Sequence, residues 1–303
     1  MAATMTWPVL PGDVVTFFRE AFEKANNHVT ERLLNVPNIR ETSLDDTLID
    51  ALIPFSPARR LSSGAVVAMD IHNIGGLRRL GHWETADISV IVFVYRQNHL
   101  LAQKIGLLQS KRLYPDNNDV DDDDDDPVSF LYGMNLFLTR EPRSPLGLLN
   151  KQFSFNPQCV YGAIKAHDKQ TDSIASMNKR LGEAVYYLFY NPPSMPQTII
   201  NPGAARQQFQ ANELGCRVYS ENDVKAAMDS FKSGRSPTFS EIESSGQASN
   251  WRLETWASDL LLTCKVGQLI DESMSEKIES LLVRLTGPIG ASIAISIALP
   301  DEG

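Results

Sequence analysis

The chain has 303 residues with 28 basic and 37 acidic side chains, a formal net charge of −9, and 43% hydrophobic content, which suits one large globular domain or a domain with an accessory segment. No apolar run approaches the roughly 20 residues that span a bilayer, and the start Met-Ala-Ala-Thr-Met-Thr-Trp-Pro lacks the basic and apolar segments of a secretory signal, so a cytoplasmic location without membrane contact is expected. Cys159, Cys216 and Cys264 are odd in number and far apart, which argues against a disulfide framework and against paired zinc spacing.

In chain order, residues 12–35 carry Val14, Phe17, Phe18, Phe22, Val29 and Leu33 on one stripe and predict an N-terminal helix within a segment 1–35. After Pro37, Asn38 with Glu41 three residues on forms a capping-box pattern for a second helix reaching Ile53. Glu41 falls in line with Leu44, Leu48 and Leu52, so it either caps the helix or aims a carboxylate from the helix start at a sheet rim. Val66–His72 predicts a strand, followed by a loop with Gly75-Gly76 and Arg78-Arg79 that contains no G-x-G-x-x-G or G-K-[ST] pattern.

The central stretch is Ala86–Tyr114. Two runs rich in β-branched and aliphatic residues flank a polar turn at Arg96–His99 and predict paired strands. Asp87 opens the first, and Gln109-Ser110-Lys111-Arg112 closes the second. Residues two apart on a strand share a face, so Gln109 and Lys111 point together and Asp87 can join them across the ladder. A carboxylate, a side-chain carbonyl and a lysine at one rim suit a divalent cation and a phosphate. Read singly, Asp87 also serves as an acceptor for turn amides, and Lys111-Arg112 as a solvated strand exit.

Residues 116–126 hold eight Asp and no Lys or Arg, and removing them leaves the rest of the chain near neutral, so the overall charge does not exclude a nucleic-acid partner. The segment 115–127 reads as a mobile acidic loop without EF-hand spacing, open to a role as a mimic of DNA phosphates. Val160–Leu181 predicts a helix with Lys165, Lys169 and Gln170 along one edge, and Ala184–Tyr190 a buried strand. Farther on, Cys216–Tyr219 predicts a strand, Glu221–Ser230 a capped helix, Phe231–Asn250 a linker, Trp251–Val266 and Ser275–Leu285 helices, and Ala291–Leu299 a final strand. Strands alternating with helices predict a mixed α/β sheet flanked by helices. His72 and His82 have no zinc spacing, and Ser62-Ser63-Gly64 and the cysteines lack a recognisable nucleophile context.

The order helix, strand, strand, strand, helix, strand over roughly residues 36–192 resembles the αβββαβ core of the PD-(D/E)xK nuclease superfamily, which includes many restriction endonucleases. Position by position, the resemblance assigns Glu41 to the helix acid, Asp87 to the strand aspartate and Gln109-Ser110-Lys111 to the (D/E/Q)-x-K element, in the glutamine form found in Mrr-like restriction enzymes. It implies a nuclease-like core at 36–200 and leaves 201–303 as a C-terminal accessory region. It further implies Mg²⁺ or Mn²⁺ held by Asp87, Gln109 and Glu41, with Lys111 acting on the attacking water or the transition-state charge. Arg78, Arg79, Arg112, Lys165 and Lys169 would contact phosphates. The expected activity is hydrolysis of DNA, with RNA as the alternative polyanion, in a bacterial antiviral defence setting and under the control of a protein partner or homo-oligomerisation. Gln109 in place of an acid removes one charge from the metal site, which keeps a second expectation in view: a catalytically inactive nuclease-like subunit that serves as a binding or assembly module.

Overall fold

A continuous apolar run buries both faces of a strand, and Val185–Tyr190, buried at every position, lies in this way within one mixed sheet. The computed structural model describes residues 6–74, 86–116, 153–199, 213–245, 249–271 and 289–301, with isolated positions Met274, Ile278, Glu279 and Leu282. Helices α1 (Gly12–Asn35) and α2 (Glu41–Leu52) precede strands β1 (Arg59–Arg60), β2 (Val66–Asn73), β3 (Ala86–Arg96) and β4 (His99–Arg112). Then come β5 (Phe153–Phe155), α3 (Lys169–Arg180), β6 (Val185–Tyr190), β7 (Gln197–Ile199), β8 (Arg217–Ser220), α4 (Glu221–Met228) and α5 (Phe239–Ser245). The chain continues through β9 (Trp251–Arg252), a π-helix (Thr255–Leu261), β10 (Gln268–Leu269) and β11 (Ile289–Leu299). The mixed α/β class with flanking helices is as expected.

Among the described residues the main sheet has nine strands in the order β1-β2-β11-β3-β4-β6-β8-β9, with β10 alongside β4. β3 and β4 form a hairpin closed by Gln97 and Asn98, both at positive φ (50° and 63°), as a two-residue type I′ turn requires. β6 then returns parallel to β4. The final strand, grouped by the sequence reading with a C-terminal accessory region, runs between β2 and β3, antiparallel to the first and parallel to the second. Its alternation of Ile with Ser or Ala fits a strand paired on both edges whose Ile face is buried and whose Ser/Ala face is more open. The β2–β3–β4 succession is therefore adjacent in sequence but interrupted in space.

Helix α1 buries Val14, Phe17, Phe18, Phe22, Val29 and Leu33 against α2 and the π-helix. Four local expectations are corrected. The helix expected from Val160 begins only at Lys169, because Asp168 caps it by accepting from the Thr171 amide (2.8 Å) and His167 sits at φ 55°. Residues 231–250 are not simply a linker, since α5 inserts buried Phe239 and Ile242. Trp251–Val266 is not one α-helix but a short strand and then a π-helix, which seats Trp256 in the core against Gly106. Asn38 does not cap α2: Arg40 holds the cap position and no side chain caps there. The acidic loop beyond Asp116, Arg78, Arg79 and most of the expected helix 275–285 lie outside the described residues.

Candidate functional site

The register that pairs Ile88 with Leu108 brings Asp87 opposite Gln109 at the rim of the β3–β4 hairpin. The Asp87 carboxylate gathers three donors on one oxygen: the Gln109 side-chain amide, the Ser110 amide (2.7 Å) and the Ser110 hydroxyl (2.9 Å). Gln109 spends its Nε2 on this contact. Its Oε1 is buried and accepts no hydrogen bond.

Glu41 stands at the first position of α2, where the helix dipole favours an acid, yet its carboxylate is directed to β4 and not to its own helix. Oε2 accepts from the Arg112 amide (2.8 Å), and Oε1 pairs with Lys111 Nζ (3.3 Å). The tertiary partners have displaced the local cap. Lys111 is 2% exposed, so this ion pair is largely withdrawn from water, and removing either partner leaves a buried charge at a cost of about 3–5 kcal/mol.

A second acid, absent from the sequence reading, completes the cluster. Asp45 lies one helical turn beyond Glu41, and residues four apart on a helix share a face. Its Oδ1 accepts from the Tyr190 hydroxyl (2.5 Å), and its Oδ2 contacts the same Ser110 hydroxyl (3.0 Å) that reaches Asp87. Ser110, the middle residue of Gln-Ser-Lys, thus ties the two aspartates together. The apolar stripe of α2 drew attention to Leu44 and Leu48; the spacing from Glu41 to Asp45 was the signal that marked the acid.

Crowding sets the electrostatics. Burial pushes the Asp87 carboxyl above its ordinary value, against the pull of Lys111 and of the Ser110 and Gln109 hydrogen bonds. Burial and then the Asp87 charge push Asp45 well up, only partly offset by Tyr190 and Ser110. Glu41 is raised by burial, with Lys111 opposing and Asp87 adding. Three acids competing for one region bind protons more readily than isolated ones.

Asp45 and Asp87 line a cleft of about 680 Å³, together with Asp46, Asp50, Asn73 and Gly290. Its wall depends on a glycine. A Cβ on Gly290 would lie 2.8 Å from the Asp87 carbonyl oxygen, so β11 approaches β3 too closely for any side chain there. Gly290→Ala is expected to destabilise the fold by about 1–3 kcal/mol, the cost of overpacking a filled interior. A thermal melt checks it, and an unchanged melting temperature would show that the rim yields.

The remaining sequence candidates fall elsewhere. Arg112 is 2% exposed; its guanidinium donates to the carbonyls of Pro37 and Ile39 and lies over Tyr114, and burial lowers its pKa to about 10. It anchors the entry to α2 and does not face a phosphate. Lys165 and Lys169 are exposed but do not share a helix edge, since α3 starts at Lys169.

Among the described residues no group of three or more His, Cys, Asp or Glu side chains is arranged to hold a metal ion. Mg²⁺ needs only one or two carboxylates with waters and other oxygens. Asp45 and Asp87 line one cleft and offer carboxylate oxygens of the kind a hard cation takes, whereas Gln109 turns its Nε2 and not its Oε1 to Asp87 and would join such a set only with its amide turned over. Comparison of the chain with protein-family models, with curated proteins and with solved structures finds no match.

Proposed function

We propose that the Asp87 rim is the active site of a Mg²⁺- or Mn²⁺-dependent phosphodiesterase acting on DNA. The observation that carries this reading is the meeting of Glu41, Asp87, Gln109 and Lys111, four residues from three elements, at one end of the β3–β4 hairpin. Asp87 would hold the cation with Asp45 beside it, Gln109 would join by turning its amide to present Oε1, and Glu41 would reach in from the start of α2. The cation supplies Lewis-acid charge to a phosphodiester and acidifies a water. Ser110 fixes the Asp87 carboxylate through its amide and hydroxyl, so the ligand needs little reorganisation. Lys111, held by Glu41, would have to exchange that partner to place its ammonium on a developing phosphate charge. The acidic lining of Asp46 and Asp50 repels a polyanion until cations neutralise it, which makes metal a condition for substrate entry as well as for chemistry. The restriction-endonuclease-like arrangement, a defence role and control by a partner or by self-association follow from the resemblance of the element order and the Gln-Ser-Lys motif.

One observation favours a second reading. Asp87 Oδ2 is already satisfied by three donors from Gln109 and Ser110, as in a carboxylate kept for structure. The chain would then be a nuclease-like binding or assembly module.

Incubation of supercoiled DNA with the full chain and Mg²⁺ or Mn²⁺, alongside a calorimetric titration of Mn²⁺, separates the two. Metal-dependent nicking is expected. No nicking and no heat of metal binding would overturn the phosphodiesterase and leave the module.

A further inference from the structure

We propose that Lys104 and Cys264 form a peroxide-sensitive site in which oxidation joins the lysine nitrogen to the cysteine sulfur. This rests on residues outside the Asp87 rim and is independent of the function proposed above.

Lys104 lies in the middle of β4, between Val92 of β3 and Leu269 of β10, and is 1% exposed. An amine in such a place normally finds a carboxylate, because an unpaired buried charge is costly. Here its hydrogen-bond partner is the Cys264 sulfur at 3.1 Å, and the Trp7 ring lies 5.7 Å from Nζ. Among the described residues no carboxylate pairs with it. Burial lowers the Lys104 pKa, which brings the neutral, nucleophilic amine within reach.

The surroundings are shaped to hold this pair. Cys264 sits at φ 62°, a left-handed conformation unusual for a residue with a side chain. Gly267, at φ 78°, leaves room for the lysine: a Cβ there would stand 3.1 Å from Lys104 Cε and 2.8 Å from the Ile105 carbonyl oxygen. Cys159 and Cys216 are buried, whereas Cys264 is half-buried and open to a small oxidant. A partly exposed thiol and a buried amine that meets no acid among the described residues are thus fixed in contact.

The chemistry balances with a hydroperoxide as oxidant. The Cys264 thiol is oxidised by two electrons to a sulfenic acid as the peroxide O–O bond breaks and its second oxygen leaves as an alcohol or water. The Lys104 amine then attacks the sulfur. The S–N bond forms, the S–O bond breaks, and water leaves with a proton from nitrogen. The product is a sulfenamide, two hydrogens lighter than the starting protein. An added thiol attacks the sulfur, releases the amine, and a second thiol restores Cys264.

The test treats the full chain with hydrogen peroxide and maps unreduced peptides by mass spectrometry. A cross-linked peptide pair containing Lys104 and Cys264, lacking two hydrogens and cleaved by dithiothreitol, is expected. Lys104→Met should lose the cross-link and leave Cys264 as a sulfenic acid trapped by dimedone, and Cys264→Ser should lose both signals. Circular dichroism melts report whether each variant is folded. Oxidation of Cys264 to sulfinic acid with Lys104 free, or no reaction at Cys264 in the folded wild type, would overturn the proposal.

Discussion

Lys111→Met is expected to reduce metal-dependent DNA cleavage by about 10²–10³-fold, the usual loss when one preorganised charge donor is removed from a reacting phosphate or oxyanion. The lysine is buried, carries no other acceptor than Glu41 among the described residues, and sits next to the Asp87–Gln109 pair. Removing it leaves Glu41 unpaired, so loss of activity through unfolding must be separated from loss of chemistry. Lys111→Met combined with Glu41→Gln removes both charges and should restore the melting temperature but not the cleavage. Asp87→Asn gives the complementary result. The amide keeps an acceptor for the Ser110 N–H, so the fold should survive while Mn²⁺ binding, read by calorimetry, is lost. Full cleavage by both variants would place the chemistry elsewhere.

The second large effect concerns stability and pH. Asp45, Asp87 and Glu41 all have folded-state pKa values raised above the ordinary carboxylate value, near 3.8 for aspartate. The folded chain therefore holds protons that the unfolded chain releases. The stability these groups contribute is present at and below the ordinary value and is lost as pH rises through the raised values. Metal-free wild-type protein should melt at a higher temperature near pH 5 than near pH 7.5. Asp13 and Glu241, with lowered values, act in a window below the ordinary one and do not mask the trend.

Asp45→Asn should flatten this dependence and raise the melting temperature at neutral pH. The asparagine oxygen can accept from Tyr190, and its amide can donate to Ser110, whose single proton is then free for Asp87. Asp45→Ala removes both partners and should destabilise instead, by about 1–3 kcal/mol for the buried hydroxyl left unsatisfied. Thermal melts of the three proteins at two pH values decide this. Equal slopes for wild type and Asp45→Asn would show that the two aspartates do not compete. Added Mn²⁺ should stabilise wild type at neutral pH more than Asp45→Asn, because a cation relieves a repulsion that the amide has already removed.

The strongest features of the sequence were those governed by local periodicity. The β3–β4 hairpin, α1, β6 and the Ile-rich β11 all follow from apolar spacing, and the cross-strand meeting of Asp87 with Gln109 follows from strand parity. Asp45 was hidden because its meaning depends on Ser110 and Tyr190, which are 65 and 145 residues away. Arg112 misled for a related reason. A basic residue at the end of a strand looks solvated until the carbonyls of Pro37 and Ile39 are known to lie over it. Helical spacing predicts a helix from Val160 but does not report the left-handed His167 that delays its start to Lys169. The π-helix is likewise invisible to a 3.6-residue period.

The position of β11 has a consequence for how the molecule is made. A strand drawn from residues 289–299 fills the slot between β2 and β3, pairing Ile289 with Ala86 across two hundred residues of chain. During synthesis β2 and β3 emerge early and wait with one edge each unpaired, and open edges are templates for aggregation. Pairings so distant in sequence close slowly. Gly290 and Ala291, which complete the wall of the acidic cleft beside Asp87, arrive with β11. A nascent chain therefore cannot assemble this cleft before β11 has left the ribosome, and products cut short before β11 would carry Asp87 without the wall that confines it.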